Sequence, residues 1–350
     1  MLTYQHLKAM PKIDLHRHFE GSLRLETLLE IARQHDLDVP KSNIEALRPL
    51  VQVTNDPPNA RTFLAKFEVL RMFYRSPEII RRLAYEIVED AAEDNVHYLE
   101  LRFSPQALSR YQGFPLADVT DWVIDAVHQA SRDYGMQVRL IITLVRHDPV
   151  EQAKKVAEIA FARHNDGIVG LDLAGDEVNH SSLPYAPLFQ EARRQGMGIT
   201  IHAGEWTGAE SVRVAVEQLG ATRIGHGVNI VTDSEVVQLV RRENVALELC
   251  LTSNMQTGSV SQINRHPVRD FLQMDVPVTL NTDDPTVSNI VLTDEYFIAM
   301  HHIGLEYRDL RRMTLTAIQS AFLDDREKQK LQRYFERLLP TPESLAVFGE

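Results

Sequence analysis

Residues 138–145 read VRLIITLV, an almost continuous apolar run. A strand that is buried on both faces has this pattern, whereas a strand with one solvated face alternates apolar and polar residues. Sheets with both faces covered are usually parallel, with helices packed on the outside. The run therefore predicts a parallel sheet in an α/β protein.

Similar runs recur along the chain and alternate with amphipathic helical patterns. Over 77–95 and 118–134, apolar residues fall three or four positions apart, and Pro77 stands where a first helical residue would. Eight strands with intervening helices predict a (β/α)8 TIM-type barrel. The predicted strands are 12–16, 96–103, 138–145, 168–174, 198–203, 222–226, 245–251 and 276–282.

The remaining segments predict additions to this barrel. Helical patterns over 24–35 and 61–74 place extra helices between the first two strands, and the charged tail 306–340 is also predicted to be helical. We find no Gly/Ser linker, low-complexity block or repeat. The sequence therefore predicts one domain over residues 1–350.

Composition narrows the possible partners and location. The net charge of −12 argues against nucleic acid, which is bound by clustered Lys and Arg. A single cysteine, Cys250, rules out an intramolecular disulfide and a Cys-based zinc cluster; a core position is expected for it. We find no apolar run of about 20 residues and no signal-peptide pattern over 1–10. These features predict a cytoplasmic protein that acts on a small neutral or cationic molecule.

Four of the predicted strands end in histidine or aspartate. The strings are IDLHRH at 13–18, ITIHAGE at 199–205, RIGHG at 223–227 and VTLNTDD at 278–284. Active sites of TIM barrels lie at the carboxyl ends of the strands. His16 and His18 are two apart and point to the same side of a strand, while His202 and Asp283 end strands 5 and 8. Three imidazoles and a carboxylate suit zinc, with water as a further ligand.

The neighbours of these residues suggest a hydrolytic site, although each also has a structural alternative. Glu205 could shuttle a proton from metal-bound water, or stabilise a helix N-terminus. His226 between two glycines could point into the mouth or be a buried, hydrogen-bonded histidine. Of Asp283 and Asp284, one could bind metal while the other faces elsewhere, or one could cap a helix. His147, at the end of strand 3, is a weaker candidate.

At these residues the chain resembles the adenosine deaminase family along nearly its whole length. The matching strings are PKIDLHRH (11–18), FLAKF (63–67), GLDLAGDE (170–177), HAGE (202–205), RIGHG (223–227), LTSN (251–254) and NTDDP (281–285). The resemblance implies one zinc ion per chain. Its ligands would be His16, His18, His202 and Asp283. Glu205 would protonate the purine N1, and His226 would orient and help deprotonate the attacking water.

The resemblance also implies the substrate contacts. Asp284 would bond the purine N7, and the Gly175 N–H would bond N3. The side chains over the ribose would be Phe63, Leu64 and Phe67. One position departs from the family pattern: family members that act on adenosine usually carry Asp two residues after the second histidine, whereas this chain has Glu20. Relatives acting on adenine or on 5′-modified adenosines often have Glu there.

The function expected from this resemblance is zinc-dependent hydrolysis of adenosine and 2′-deoxyadenosine to the inosine product and ammonia. One alternative is deamination of adenine or of a 5′-modified adenosine. A second is a two-metal amidohydrolase, although strand 4 here ends in Gly175-Asp176-Glu177 without the lysine that such sites use. A third is a non-catalytic barrel. The sequence leaves the oligomeric state open.

Overall fold

The computed structural model describes residues 2–339, and within that range eight parallel strands form a barrel. Neighbouring strands follow the order of the chain, from β1 to β8. The strands are β1 Lys12–His18, β2 Val96–Phe103, β3 Gln137–Val145, β4 Ile168–Ala174, β5 Gly198–Ala203, β6 Arg223–His226, β7 Ala246–Leu249 and β8 Val278–Leu280. The predicted TIM-type barrel is confirmed.

The barrel closes where the carboxyl ends of the last and first strands meet. Arg17 forms a parallel bridge with Asp283, just beyond β8. The His18 N–H donates to the Asp283 carbonyl, and the Asp283 N–H donates to the His16 carbonyl, both over 2.8 Å. These bonds bring the ends of strands 1 and 8 together, although the two strands lie about 260 positions apart in sequence.

Helices cover the outside of this barrel. Their apolar faces are buried, as in the predicted helices 77–95 and 118–134, which become Pro77–Glu93 and Leu116–Tyr134. The α-helices are α1 Tyr4–Ala9, α2 Leu25–Gln34, α3 Ile44–Val51, α4 Ala60–Leu70, α5 Pro77–Glu93, α6 Pro105–Ser109, α7 Leu116–Tyr134, α8 Val150–Ala162, α9 Ala186–Arg194, α10 Ala209–Glu217, α11 Ser234–Arg242, α12 Leu251–Gln256, α13 Val268–Gln273, α14 Pro285–Ser288, α15 Leu292–His301, α16 Tyr307–Ser320 and α17 Asp325–Leu338.

The extra helices between the first two strands are present as predicted, with one addition. Helices α2 and α4 correspond to the predicted 24–35 and 61–74. Helix α3 was not predicted. Its N-cap, Asn43, accepts a hydrogen bond from the Ala46 N–H over 2.9 Å, and Pro49 lies within the helix. An internal proline masks a helical pattern, because proline removes a backbone donor.

The predicted ends of strands 1, 7 and 8 were wrong by up to two residues. Strand 1 continues to His18, whereas strand 7 stops at Leu249. Helix α12 begins immediately afterwards, and its first two N–H groups donate to the buried Glu295 carboxylate at 2.6 and 3.1 Å. Because Glu295 lies on α15, the local sequence of strand 7 does not reveal this helix start.

The predicted helical tail consists of two helices. Helices α16 and α17 are separated at 321–324, where the Phe322 ring lies 3.6 Å from the Arg223 guanidinium carbon and the Phe322 N–H donates to Glu100 over 2.6 Å. The last predicted position, residue 340, lies outside the described residues. The prediction of one domain over 1–350 therefore stays a prediction.

Among residues 2–339, no helix combines the length and the apolar character that crossing a bilayer requires. The cytoplasmic location stays a prediction. Cys250 is fully buried, as expected for a core residue.

Candidate metal and active site

Side chains from opposite sides of the barrel converge at the carboxyl ends of the strands. His16 and His18 come from β1, His202 from β5, and Asp283 follows β8. The Nε2 atoms of His16 and His18 lie 3.1 and 3.3 Å from Asp283 Oδ1. The Nε2 atoms of His18 and His202 are 3.2 Å apart. The donor atoms of His16, His202, His226 and Asp283 all lie within 4.8 Å of one another, whereas His18 lies within that distance of His202 and Asp172. The predicted ligands are thus neighbours around one place, called the metal point, and His226 lies there as well.

This donor set fits a metal ion. Ligand atoms about 2.0–2.1 Å from a tetrahedral zinc lie about 3.3 Å from one another, close to the separations found here. Although His16 Nε2 lies near Asp283, it is a buried atom that makes no hydrogen bond within the described part of the chain. Such an atom is costly unless a ligand satisfies it. The buried group of His16, His202, His226 and Asp283 can therefore hold a metal.

Buried carboxylates orient two of these histidines. His16 Nδ1 donates to Glu248 Oε2 over 2.7 Å, and His202 Nδ1 donates to Asp172 Oδ1 over 2.9 Å. With the proton on Nδ1, each ring presents an unprotonated Nε2 to the metal point, an arrangement found around bound metals. Burial opposes ionisation of Asp172, but His202 and Arg102 hold its pKa below the usual range.

Buried arginines balance these carboxylates. Arg102 donates to Glu248 over 2.8 Å and lies 3.5 Å from Asp172, while Arg223 donates to Glu248 over 2.5 Å. Despite burial, the two arginines hold the pKa of Glu248 well below its usual range. Charges buried at this depth are tolerated because each has a close partner of opposite sign.

Glu205 lies beside the metal point, on the loop that follows β5. Its Oε2 is 3.6 Å from His226 Nε2, and its Oε1 accepts a hydrogen bond from Thr257 over 3.2 Å. Burial, and then the charges of Asp283 and Glu177, raise the pKa of Glu205 well above its usual range. A carboxyl group in this environment can carry a proton near neutral pH and deliver it to a substrate.

A second carboxylate, Glu177, fixes the loop that carries Glu205. It accepts hydrogen bonds from four consecutive backbone N–H groups, those of residues 204–207, at 2.6–3.3 Å. The hydroxyls of Thr207 and Ser211 donate to it as well, at 2.7 and 2.6 Å. The structural alternative for Glu205, a helix N-terminal carboxylate, is not observed, since helix α10 begins only at Ala209.

His226 and Asp283 both adopt a strained backbone. Their φ angles are +65° and +64°, in the left-handed region that costs non-glycine residues about 1–3 kcal/mol. Gly225 leaves room for two histidine rings, because a Cβ at that position would lie 3.0 Å from the His16 ring and 3.1 Å from the His202 ring. Such strain clusters at functional sites, where the surrounding structure imposes it.

Asp284 follows Asp283 directly and keeps one oxygen free. Its Oδ1 is buried and makes no hydrogen bond within residues 2–339. Burial, and then Asp283 and Glu20, raise its pKa well above the usual range, so that it can donate a proton in a hydrogen bond. Gly21 leaves the space that Asp284 occupies, since a Cβ there would lie 1.9 Å from Asp284 Oδ1.

The predicted substrate contacts line a cavity of about 180 Å³ above these groups. Glu20 is buried, accepts a hydrogen bond from the Ser104 N–H over 2.8 Å, and has its pKa raised by burial to about 7. Gly175 has a φ of +99°, which favours glycine. His147 lies at the exposed rim. The predicted site residues on the wall of this cavity are His18, Glu20, Phe63, Leu64, Phe67, Gly175, His202, Glu205, His226, Asp283 and Asp284.

Sequence reasoning missed the supporting residues. Asp172 and Glu248 were present in the strand strings, and a charged residue inside an otherwise apolar buried strand was the signal that could have identified them. Two further supports come from α12: Ser253 donates to Asp283 Oδ2 over 2.6 Å, and Asn254 lies 3.1 Å from His226 Nδ1. For these no sequence signal beyond the LTSN string was available.

Comparison with known proteins agrees with this geometry. A family model described as adenosine deaminase matches residues 11–336. An adenosine deaminase of Serratia proteamaculans is 40% identical over 324 residues, which cover 92% of this chain and 97% of that protein. An adenine deaminase structure from Arthrobacter aurescens has a TM-score of 0.86 and 26% identity, covering 94% of this chain and 98% of that one. A zinc-bound amidohydrolase structure from Burkholderia ambifaria has a TM-score of 0.87 and 26% identity, covering 96% and 93%. Because the family model spans nearly all of the barrel, this chain belongs to the adenosine deaminase family.

Proposed function

We propose that this protein is a zinc-dependent adenosine deaminase that converts adenosine and 2′-deoxyadenosine, with water, to the inosine product and ammonia. The observation that carries the proposal is the position of Glu205, a buried carboxyl group with a raised pKa, beside a group of three histidines and an aspartate that can hold a metal. The family membership supplies the substrate class, a 6-aminopurine nucleoside. The substrate is therefore a small molecule.

One zinc ion per chain would be held by His16, His18, His202 and Asp283. Bound zinc lowers the pKa of water to about 7 and so supplies a nucleophile at neutral pH. The orienting contacts of Glu248 and Asp172 support this assignment, because they leave the Nε2 atoms of His16 and His202 unprotonated. The two-metal alternative is disfavoured, since β4 ends at Ala174 and is followed by Gly175-Asp176-Glu177 without a lysine.

The other residues act on the purine and on the water. Glu205 donates its proton to N1, which makes C6 more electrophilic, while His226 orients the attacking water. A C6–O bond forms with the oxygen of water and the C6–N bond breaks. One water proton replaces the one that Glu205 gave to N1, and the other goes to the amine, which leaves as ammonia. Asp284, with a free and protonatable oxygen, donates to N7. The Gly175 N–H donates a hydrogen bond to N3, which holds the purine ring in position relative to these groups.

The cavity wall would determine the sugar preference. The side chains over the ribose would be Phe63, Leu64 and Phe67, all on α4. Glu20 would lie near the 5′ carbon, and its carboxylate reaches one methylene farther than the aspartate of adenosine-specific relatives. Deamination of adenine remains the alternative, because an adenine deaminase is among the similar structures.

A substrate panel tests this function. We expect wild-type protein to deaminate adenosine and 2′-deoxyadenosine, and Glu20→Asp to change the ratio of adenosine to 5′-modified adenosine turnover more than it changes adenine turnover. The reason is that adenine has no 5′ group for residue 20 to contact. For a nucleoside, loss of a contact to the 5′ hydroxyl discriminates strongly when it leaves a buried group unpaired. The measurement is the loss of absorbance with adenosine, 2′-deoxyadenosine, adenine and a 5′-modified adenosine.

The control is Glu68→Asp, which shortens an exposed carboxylate at the rim of the same cavity by the same methylene. It should leave the substrate ratios unchanged. If wild-type protein used adenine far better than either nucleoside, the adenine alternative would replace the nucleoside assignment.

A further inference from the structure

Three buried polar groups form a chain behind His226, on the side away from the cavity. The Val268 N–H, at the start of α13, donates to His266 Nδ1 over 3.2 Å. His266 Nε2 lies 3.2 Å from Asn254 Oδ1, and Asn254 Nδ2 lies 3.1 Å from His226 Nδ1. The exposed fractions of His266, Asn254 and His226 are 3%, 0% and 1%, so water does not compete for these bonds.

The direction of every bond in this chain follows from its first member. A backbone N–H can only donate, so His266 Nδ1 must accept and carries no proton. The neutral ring then has its proton on Nε2, which donates to Asn254 Oδ1. With its oxygen fixed in this way, the amide of Asn254 must present its NH2 group to His226. His226 Nδ1 is therefore an acceptor.

We infer that His266 and Asn254 are positioning residues that hold His226 in the neutral tautomer with its proton on Nε2, so that His226 faces the site as a hydrogen-bond donor. The inference rests on the proposed function and deepens it. Of the two roles that the family resemblance implies for His226, orienting the water and helping to deprotonate it, this tautomer provides the first and not the second.

The surroundings of His226 Nε2 agree with a donor. Two carboxyl oxygens lie near this nitrogen, Glu205 Oε2 at 3.6 Å and Asp283 Oδ2 at 4.0 Å, and the Asp283 carboxylate can only accept. Burial lowers the pKa of His266 to about 3, which keeps this ring neutral and preserves the direction of the chain near neutral pH. For His226 to carry its proton on Nδ1, the Asn254 amide would have to rotate so that its oxygen faces His226. The NH2 group of Asn254 would then face the Nε2–H of His266, and two hydrogen-bond donors would meet.

The test is ¹⁵N NMR of the full-length, metal-loaded protein with ring-labelled histidine, with His226 assigned by comparison with His226→Gln. We expect Nδ1 of His226 to resonate as an unprotonated nitrogen and Nε2 as a protonated one. In Asn254→Asp, the carboxylate can only accept, so the proton should move to Nδ1. A wild-type spectrum with Nδ1 protonated, or an Asn254→Asp spectrum unchanged at His226, would overturn the inference.

A matched pair of variants separates bond direction from packing. His266→Leu removes both contacts and should leave His226 as a mixture of tautomers, with kcat lower by about 10- to 100-fold, as found for outer-shell partners. His266→Gln offers one acceptor and one donor and should restore the wild-type tautomer and most of kcat. Equal tautomer populations in the two variants would contradict the proposal. If wild-type protein failed to deaminate adenosine while its His226 kept the expected tautomer, the proposed function alone would be wrong.

Discussion

At the scale of single residues, proton transfer depends on the environment of Glu205. Burial and two neighbouring carboxylates raise its pKa, so this carboxyl group can hold a proton near neutral pH. The contact from Thr257 over 3.2 Å fixes one oxygen, and the other lies near His226. This geometry supports the proposed role of Glu205 as a proton donor that does not bind the metal.

Glu205→Gln should therefore keep the metal and lose turnover. The amide has nearly the same shape but no transferable proton, and the loss of such a step typically lowers kcat by about 10²–10⁴-fold. The measurement is kcat together with elemental analysis of the same preparation. Glu68→Gln, the same substitution at the exposed rim of the cavity, is the control and should have little effect. Turnover near the wild-type value in Glu205→Gln would remove this residue from the mechanism.

At the scale of elements, the loops that follow the strands hold the site. The loop after β5 has four N–H groups directed at one carboxylate, Glu177, which belongs to the segment after β4. Two neighbouring strand ends are thus tied by a buried, charge-assisted contact, and this fixes the position of Glu205. The scaffold orients the catalytic loop through a residue that does not touch the metal.

Glu177→Gln should destabilise the protein by about 1–3 kcal/mol, because an NH2 group would replace an acceptor among several donors. Burial opposes ionisation, but the hydrogen bonds from Ser211 and Thr207 lower the pKa of Glu177 below its ordinary 4.5. A carboxylate with a lowered pKa stabilises the fold above pH 4.5 and loses this contribution as the pH falls through its folded value.

The measurement for Glu177 is urea unfolding of wild type and variant at neutral pH and below pH 4.5. The difference in unfolding free energy should be largest at neutral pH and should shrink in acid. Asp176→Asn, at the half-buried neighbouring position, is the control and should cost less. A difference that grew as the pH fell would show that the carboxylate is not ionised in the folded protein.

At the scale of the whole molecule, the site ties the barrel together across its mouth. The group that can hold a metal joins β1, β5, β6 and the end of β8, and its supporting carboxylates join β4 and β7 to the same centre through Asp172 and Glu248. A ligand that binds only the folded barrel stabilises it by mass action. Metal content and stability should therefore change together.

Elemental analysis should find one zinc per chain, and chelation should lower the melting temperature as well as activity. A ligand present at about 100 times its dissociation constant contributes about 2.7 kcal/mol. His202→Ala should lower metal content sharply, whereas His147→Ala, at the cavity rim, should not. Active protein without a transition metal, or with two ions per chain, would contradict the assignment.

The sequence by itself determined the barrel and the side chains at the carboxyl ends of its strands. Apolar runs such as 138–145 identify strands that are buried on both faces, and the fold then places every strand end on one side. His16, His18, His202 and Asp283 follow from their positions at those ends, because strand periodicity is a local property.

Only the tertiary structure decided the support of the site and some element boundaries. His16 and Glu248 are 232 positions apart, and the start of α12 is held by Glu295, 44 positions farther along the chain from Leu251. The direction of the bond to His226 is fixed at Val268, through two side chains. Such contacts depend on which side chains the closed barrel brings together in space, and local sequence patterns carry no information about that proximity.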